Sequence, residues 1–156
     1  MPSTRRHLLA AAATAPVALA LPRIASAQTR LTLSEAEWRK RLTPQQFDVL
    51  REEGTERPFS SPLNKEKRAG VFACAGCKLP LFLSSTKFES GTGWPSFYDV
   101  RANAVTLKTD RALFMERTEV ECRRCGGHLG HVFDDGPKPT GKRYCMNGVA
   151  MTFTPA

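Results

Sequence analysis

Two C-x-x-C pairs constrain this chain more than any other feature. Cys74-Ala75-Gly76-Cys77 and Cys122-Arg123-Arg124-Cys125 stand with residues 78–121 between them. Each pair fits a tight turn that presents two sulfurs to one ion, and two such turns complete a closed tetrahedral site. A fold that satisfies both must bring two distant segments to one point. Four soft thiolates favour zinc, although iron also accepts sulfur ligands. A competing assignment takes Cys122, Cys125, His128 and His131 from the compact run C-R-R-C-G-G-H-L-G-H. It leaves only two-residue gaps where known fingers have a long excursion, and it strands Cys74 and Cys77. Two disulfides are the third possibility. The four-cysteine zinc site uses every paired cysteine and leaves both histidines free.

The beginning of the chain reads as an address rather than as fold. Arg5 and Arg6 precede an apolar stretch from Leu8 to Leu21, and Ala25-Ser26-Ala27 supplies a small-x-small cleavage site. That is the layout of an export signal over residues 1–27, and the paired arginines resemble a twin-arginine signal. The stretch is short for a bilayer span and holds Pro16, so no lasting membrane insertion is expected after cleavage. Residues 28–156 then form one domain in a periplasmic or otherwise exported protein. Of the net charge of +8, Arg5, Arg6 and Arg23 belong to the leader, which leaves 20 basic residues against 15 acidic ones. Four thiolates on one zinc would lower that excess further. With no long Lys/Arg run, nucleic acid is not an expected partner.

Two helices are expected first. Ser34 with Glu37 forms a capping box, and Thr43, Pro44 and Gln46 repeat the grammar, with Gly54 as the stop. Phe47 and Leu50 give the second helix an apolar stripe. From Gly70 the period changes to two. Residues 70–74, 79–84, 104–109, 112–121, 131–134 and 149–154 read as strands, with Thr109-Asp110 as a hairpin turn. The whole is a mainly β, largely antiparallel domain with a short N-terminal helical lead-in. Short strands and wide loops give a thin core, for which a metal staple is useful.

Cys145 is the one cysteine left over, and His128 and His131 are the only histidines after the leader. A thiolate is the reactive form of cysteine, and an imidazole within reach can carry its proton. Asn147 supplies a polar orienter, which completes a nucleophilic set. Taken alone, Cys145 reads sooner as a small buried hydrophobe on a strand.

Three further motifs carry a resemblance. G-W-P-S-F at Gly93–Phe97, G-G-H-L-G-H-V-F at Gly126–Phe133 and R-Y-C-M-N at Arg143–Asn147 occur in order around both C-x-x-C pairs. Together they resemble the signatures of the B-type methionine sulfoxide reductases, from about the first helix to the end of the chain. The resemblance implies a β-tent of two antiparallel sheets with one structural Zn2+ in a knuckle. It implies thiol-dependent reduction of methionine-(R)-sulfoxide, free or in oxidised proteins. Cys145 is then the nucleophile that passes through a sulfenic acid, and His131 the acid that protonates the oxygen. His128 helps to position substrate or proton, and Asn147 orients the sulfoxide or the histidines. Trp94 walls an apolar pocket for the S-methyl group; Phe133 does so too, or packs in the core. Many relatives hold a second, resolving cysteine just before the tryptophan, where this chain has Thr92. An external reductant, thioredoxin-like or a small thiol, is therefore expected. Gly148 stands where relatives often have serine.

Two other classes remain to be weighed. A zinc-stapled binding module needs four cysteines but has no use for Cys145, His131 and Asn147 together. A ribbon-type nucleic-acid binder needs a basic stripe, which only Lys138, Lys142 and Arg143 approach.

Overall fold

The computed structural model describes residues 30–111 and 116–156. The proposed leader, residues 1–27, lies outside the described residues, as does the start of the strand expected over 112–121.

The lead-in forms as its caps dictate. Helix α1 (Glu35–Arg41) and helix α2 (Pro44–Glu52) each begin at a complete capping box, on Ser34/Glu37 and Thr43/Gln46. Helix α2 buries Phe47, Val49 and Leu50. It ends one residue earlier than expected: the left-handed residue is Glu53 (φ 57°), and a side chain on Gly54 would collide with the Asp48 carboxylate. No helix among the described residues is long and apolar enough to cross a membrane.

Among the described residues nine strands follow: β1 (Gly70–Cys74), β2 (Pro80–Leu83), β3 (Lys87–Phe88), β4 (Ser96–Phe97), β5 (Val105–Asp110), β6 (Arg117–Cys122), β7 (His128–Phe133), β8 (Arg143–Met146) and β9 (Met151–Pro155). They build two antiparallel sheets, ordered β2-β1-β9 and β3-β4-β8-β7-β6-β5. Phe72 and Phe82 of the smaller sheet meet Phe97 and Tyr144 of the larger. Phe82 stacks on Phe97 at 4.3 Å and Phe72 meets its edge at 5.0 Å. These rings are the seam between the sheets, and such contacts add to the gain from burial alone.

Thr109 and Asp110 do not form a turn. Both pair within β5, Asp110 opposite Arg117. Asp110 also bonds His131 and Arg117, so its carboxylate is used across the sheet rather than in a local turn. Strand β7 starts at His128 rather than His131, and β3, β4 and β8 complete the larger sheet although no apolar run marks them.

Candidate active site and metal centre

The two C-x-x-C turns are alike in geometry. In each, the first cysteine's N–H donates to a carbonyl five residues on, Cys74 to Leu79 (2.9 Å) and Cys122 to Gly127 (2.8 Å). In each, the residue four positions on returns a bond to that cysteine's carbonyl and is left-handed: Lys78 (φ 61°) and Gly126 (φ 65°). The first turn therefore places its positive φ on Lys78 and not on Gly76. One turn caps the β1–β2 hairpin and the other the β6–β7 hairpin, so the four sulfurs join the two sheets. All four thiols are buried and unbridged, with ligand atoms within 4.8 Å of one another. The cross-turn pairs Cys74/Cys125 and Cys77/Cys122 stand 3.7 and 3.4 Å apart. A disulfide needs about 2 Å, whereas a zinc tetrahedron with bonds of about 2.3 Å has sulfur edges of about 3.8 Å. The donor set thus fits zinc. Hydrogen bonding with Cys122 foremost pushes the Cys74 thiol up and draws the Cys77 thiol down, and a divalent cation would let all four ionise. Around the cluster, Arg51 and Arg124 donate to the Cys125 and Cys77 carbonyls (3.0 and 3.1 Å), offsetting its negative charge.

The histidines are not part of that cluster. Across the larger sheet one register row runs Ser96, Cys145, His131, Glu119, through β4, β8, β7 and β6. Alternation along β8 buries Tyr144 and Met146 and leaves Arg143 and Cys145 half-buried on the other face. Cys145 and His131 thus project side by side from one face of the sheet, because strand pleating puts them there. Gly130 makes this approach possible, since a Cβ there would collide with the Cys145 carbonyl oxygen.

A cavity of about 200 Å³ opens over this pair. That is below the usual range for drug-sized ligands and suits a single side chain. Trp94 and Phe133 wall it, and Asn147, Arg117, Thr55 and Gly130 complete it with Cys145 and His131. The structure therefore sets Phe133 at the pocket, where the sequence left it open to a core role. His128 is not in the wall. It is 4 % exposed, with Nδ1 on Glu119 Oε1 at 2.7 Å, Nε2 buried without a bonding partner among the described residues, and its ring 5.4 Å from that of His131.

His131 Nε2 stands 2.9 Å from Asp110 Oδ2, which also takes Arg117 Nη2 at 2.6 Å. Burial foremost draws the His131 imidazole below its ordinary range; Asp110 opposes that, while Arg117 and His128 add to it. Neutral imidazole is the resting form that follows. Arg143 forks onto Asp135 (2.8 Å twice) and lies 4.4 Å over the Phe133 ring, which fixes that wall.

Glu56 is the residue that sequence reasoning missed most completely. Its N–H donates to Asn147 Oδ1 (3.0 Å) and its carbonyl accepts from Trp94 Nε1 (3.1 Å). Its carboxylate accepts from the N–H groups of Gly148 (2.5 Å) and Val149 (3.0 Å). Asn147 Nδ2 in turn donates to the Leu129 carbonyl at 3.2 Å. Asn147 thus spends its amide on backbone, tying the loop after α2 to β7 and β8. Asp110, Glu119, Arg117 and Thr55 were also unmarked by any motif.

Fold and site together define a domain built on a sulfur-clamped pair of sheets with a Cys–His cavity, and a SelR domain model matches residues 42–155. The chain is 61% identical over 128 residues to a peptide methionine sulfoxide reductase MsrB of Methanosarcina barkeri, covering 81% of this chain and 90% of that one. It is 54% identical over 127 residues to an MsrB of Agrobacterium fabrum, covering 81% and 94%. With a mouse mitochondrial methionine-R-sulfoxide reductase B3 it shares 49% over 128 residues, 81% of this chain and 51% of that one. The chain belongs to the B-type methionine sulfoxide reductase family, a family of oxidoreductases.

Proposed function

We propose that this protein reduces methionine-(R)-sulfoxide, free or in oxidised proteins, with an external thiol, through a sulfenic acid on Cys145. The observation that carries the reading is the register pairing of Cys145 with His131 under a side-chain-sized cavity walled by Trp94 and Phe133.

The chemistry runs as a two-electron exchange. Neutral His131 takes the Cys145 thiol proton and becomes an imidazolium held by Asp110. The thiolate attacks the sulfoxide sulfur while His131 returns the proton to the oxygen. The sulfur–sulfur bond so formed and the methionine sulfur–oxygen bond then break together as the hydroxyl passes to the Cys145 sulfur, so methionine leaves reduced by two electrons and Cys145 holds a sulfenic acid. A thiol then displaces that oxygen as water and forms a mixed disulfide with Cys145. A second thiol restores the Cys145 thiol and departs in a disulfide. The four cluster cysteines are committed to structure, which supports an external reductant.

Zinc held by Cys74, Cys77, Cys122 and Cys125 would supply cross-linking and no redox chemistry. Residues 1–27 would serve as an export signal and residues 28–156 as the catalytic domain, placing repair in the cell envelope, where methionine meets oxidants. The Arg5-Arg6 pair, the apolar run and Ala25-Ser26-Ala27 support that location.

Turnover of each sulfoxide epimer, measured separately with dithiothreitol and with a thioredoxin, tests the reading. R-epimer turnover that disappears in Cys145→Ser supports it. No R-epimer turnover by zinc-loaded protein, or turnover equal in Cys145→Ser, overturns it. An Arg5→Lys/Arg6→Lys leader that still exports a reporter would overturn the twin-arginine route.

A further inference from the structure

The sulfur of Cys145 has a neighbour that the mechanism above leaves idle. Thr92 Oγ1 stands 3.7 Å from Cys145 Sγ. Behind it runs a file of hydroxyls: Thr92 to Ser90 at 2.8 Å, and Ser90 to Ser96 at 2.7 Å. Ser96 is fully buried and donates to the Trp94 carbonyl at 3.1 Å. It is also the β4 register partner of Cys145, so the file loops from the backbone beside that cysteine round to its side chain.

Each hydroxyl has a single proton to give, and this fixes the order along the file. With Ser96 donating to the Trp94 carbonyl, Ser90 donates to Ser96 and Thr92 donates to Ser90. Thr92 then has only a lone pair to offer the sulfur, and it accepts the thiol S–H. A thiolate reverses the file. Thr92 turns its proton to the sulfur, Ser90 donates to Thr92, and Ser96 leaves the carbonyl for Ser90. The file ends on a carbonyl and so carries no proton away, which leaves proton removal to the other side of the cavity.

We propose that Thr92 is a catalytic residue of this reductase, a hydroxyl that switches from accepting the Cys145 S–H to donating to the thiolate, set by Ser90 and Ser96 as positioning residues. The proposal rests on Cys145 being the nucleophile, but it concerns ionisation of the free enzyme and needs no sulfoxide. The charged groups about Cys145 are His131 from β7 with its partner Asp110, Arg117 from β6, and Arg143 from β8 with Asp135. None of them lies in the hydroxyl file, so changes in the file leave them in place.

The test is the pH profile of Cys145 alkylation by iodoacetamide, read by mass on the zinc-loaded protein. Thr92→Val removes the donor from the thiolate, and alkylation below the profile midpoint slows by about five- to tenfold, because a hydrogen bond to a charged sulfur outweighs one from a neutral thiol. Ser90→Ala acts the other way. It removes the acceptor that holds the Thr92 proton off the sulfur, and alkylation at the same pH speeds up by about two- to threefold. Thr92→Ser restores the original profile, and Ser90→Ala adds nothing when Thr92 is already valine. Superposable profiles for the wild type and Thr92→Val, or shifts of the same sign in Thr92→Val and Ser90→Ala, overturn the proposal. Should Thr92→Val fail to fold, a Ser90→Ala profile unmoved or moved to slower alkylation overturns it alone. A protein that lacks sulfoxide turnover yet shows the opposed shifts would sink the reaction and leave the switch standing.

Discussion

Asp110 and His131, 21 residues apart in sequence, meet at 2.9 Å between Oδ2 and Nε2 across β5 and β7. The carboxylate raises the affinity of His131 for a proton, while burial, the larger effect, lowers it below the ordinary 6.5. A folded value below the unfolded one means that the unfolded chain binds more protons between the two. The stability gained by burying neutral His131 is therefore complete above pH 6.5 and is lost as pH falls below it. The rate follows the same sign: kcat/KM holds at neutral pH and falls on an acid limb below 6.5. Asp110→Asn removes the opposing interaction, so that limb moves to still lower pH, while the plateau falls by about tenfold or more because the imidazolium loses its counter-charge. A pH–rate profile of both proteins checks this, and an acid limb that moves upward would be the wrong sign.

Glu56 holds two walls of the cavity with one residue. Glu56→Gln places an amide NH₂ against a backbone N–H where the carboxylate accepted from Gly148 and Val149. One donor is left unsatisfied, a loss of about 1–3 kcal/mol. Trp94 and Asn147 are tied to the same residue's backbone, so the cavity wall loosens. KM is expected to rise more than kcat falls. Chemical denaturation and steady-state kinetics measure the two effects; a Glu56→Gln protein unchanged in both would show that the clamp is idle.

What could be read in advance follows from the range of the signals. Capping boxes at Ser34 and Thr43 and the C-x-x-C turns are local chemistry, and each formed as its residues dictate. The pairing of the two turns was legible because metal geometry demands four ligands. Asp110 was misread because a Thr-Asp pair between apolar runs has the composition of a turn, while its use as the partner of His131 is set by strand register. Strands β3 and β4 are two residues long and have no period to detect. Glu56 acts through backbone atoms on residues 38 and 91 positions away, which no residue type announces. Phe133 showed the reverse: its type was plain, and only the face of β7 decided between core and pocket.

The division among the five sulfurs predicts two different failures. Cys145→Ser changes one half-buried atom on a paired strand, so the melting temperature stays within a few degrees while turnover is lost. Cys122→Ser, or removal of metal by a strong chelator, releases the junction of the two sheets, and the melting temperature falls by tens of degrees or the transition disappears. Thermal unfolding with metal analysis separates them. A chelated protein that melts as before would show that the aromatic seam, not the sulfur cluster, joins the sheets.

Thr92 also marks where a second thiol would fit. Its Oγ1 is 3.7 Å from Cys145 Sγ, and both side chains must rotate toward each other to close that gap to a bond of about 2 Å. In Thr92→Cys the new thiol attacks the Cys145 sulfenic acid, water leaves, and an internal disulfide replaces the mixed one. The reductant then meets a disulfide rather than a sulfenic acid, so a dithiol such as a thioredoxin gains on a monothiol, which exchanges through an extra mixed disulfide. The expected results are a loss of two hydrogens in mass after one sulfoxide turnover without reductant, and about a tenfold gain in the dithiol-to-monothiol rate ratio. A Thr92→Cys protein that instead accumulates a sulfenic acid trapped by dimedone would mean that the loop holds position 92 out of line with the Cys145 sulfur.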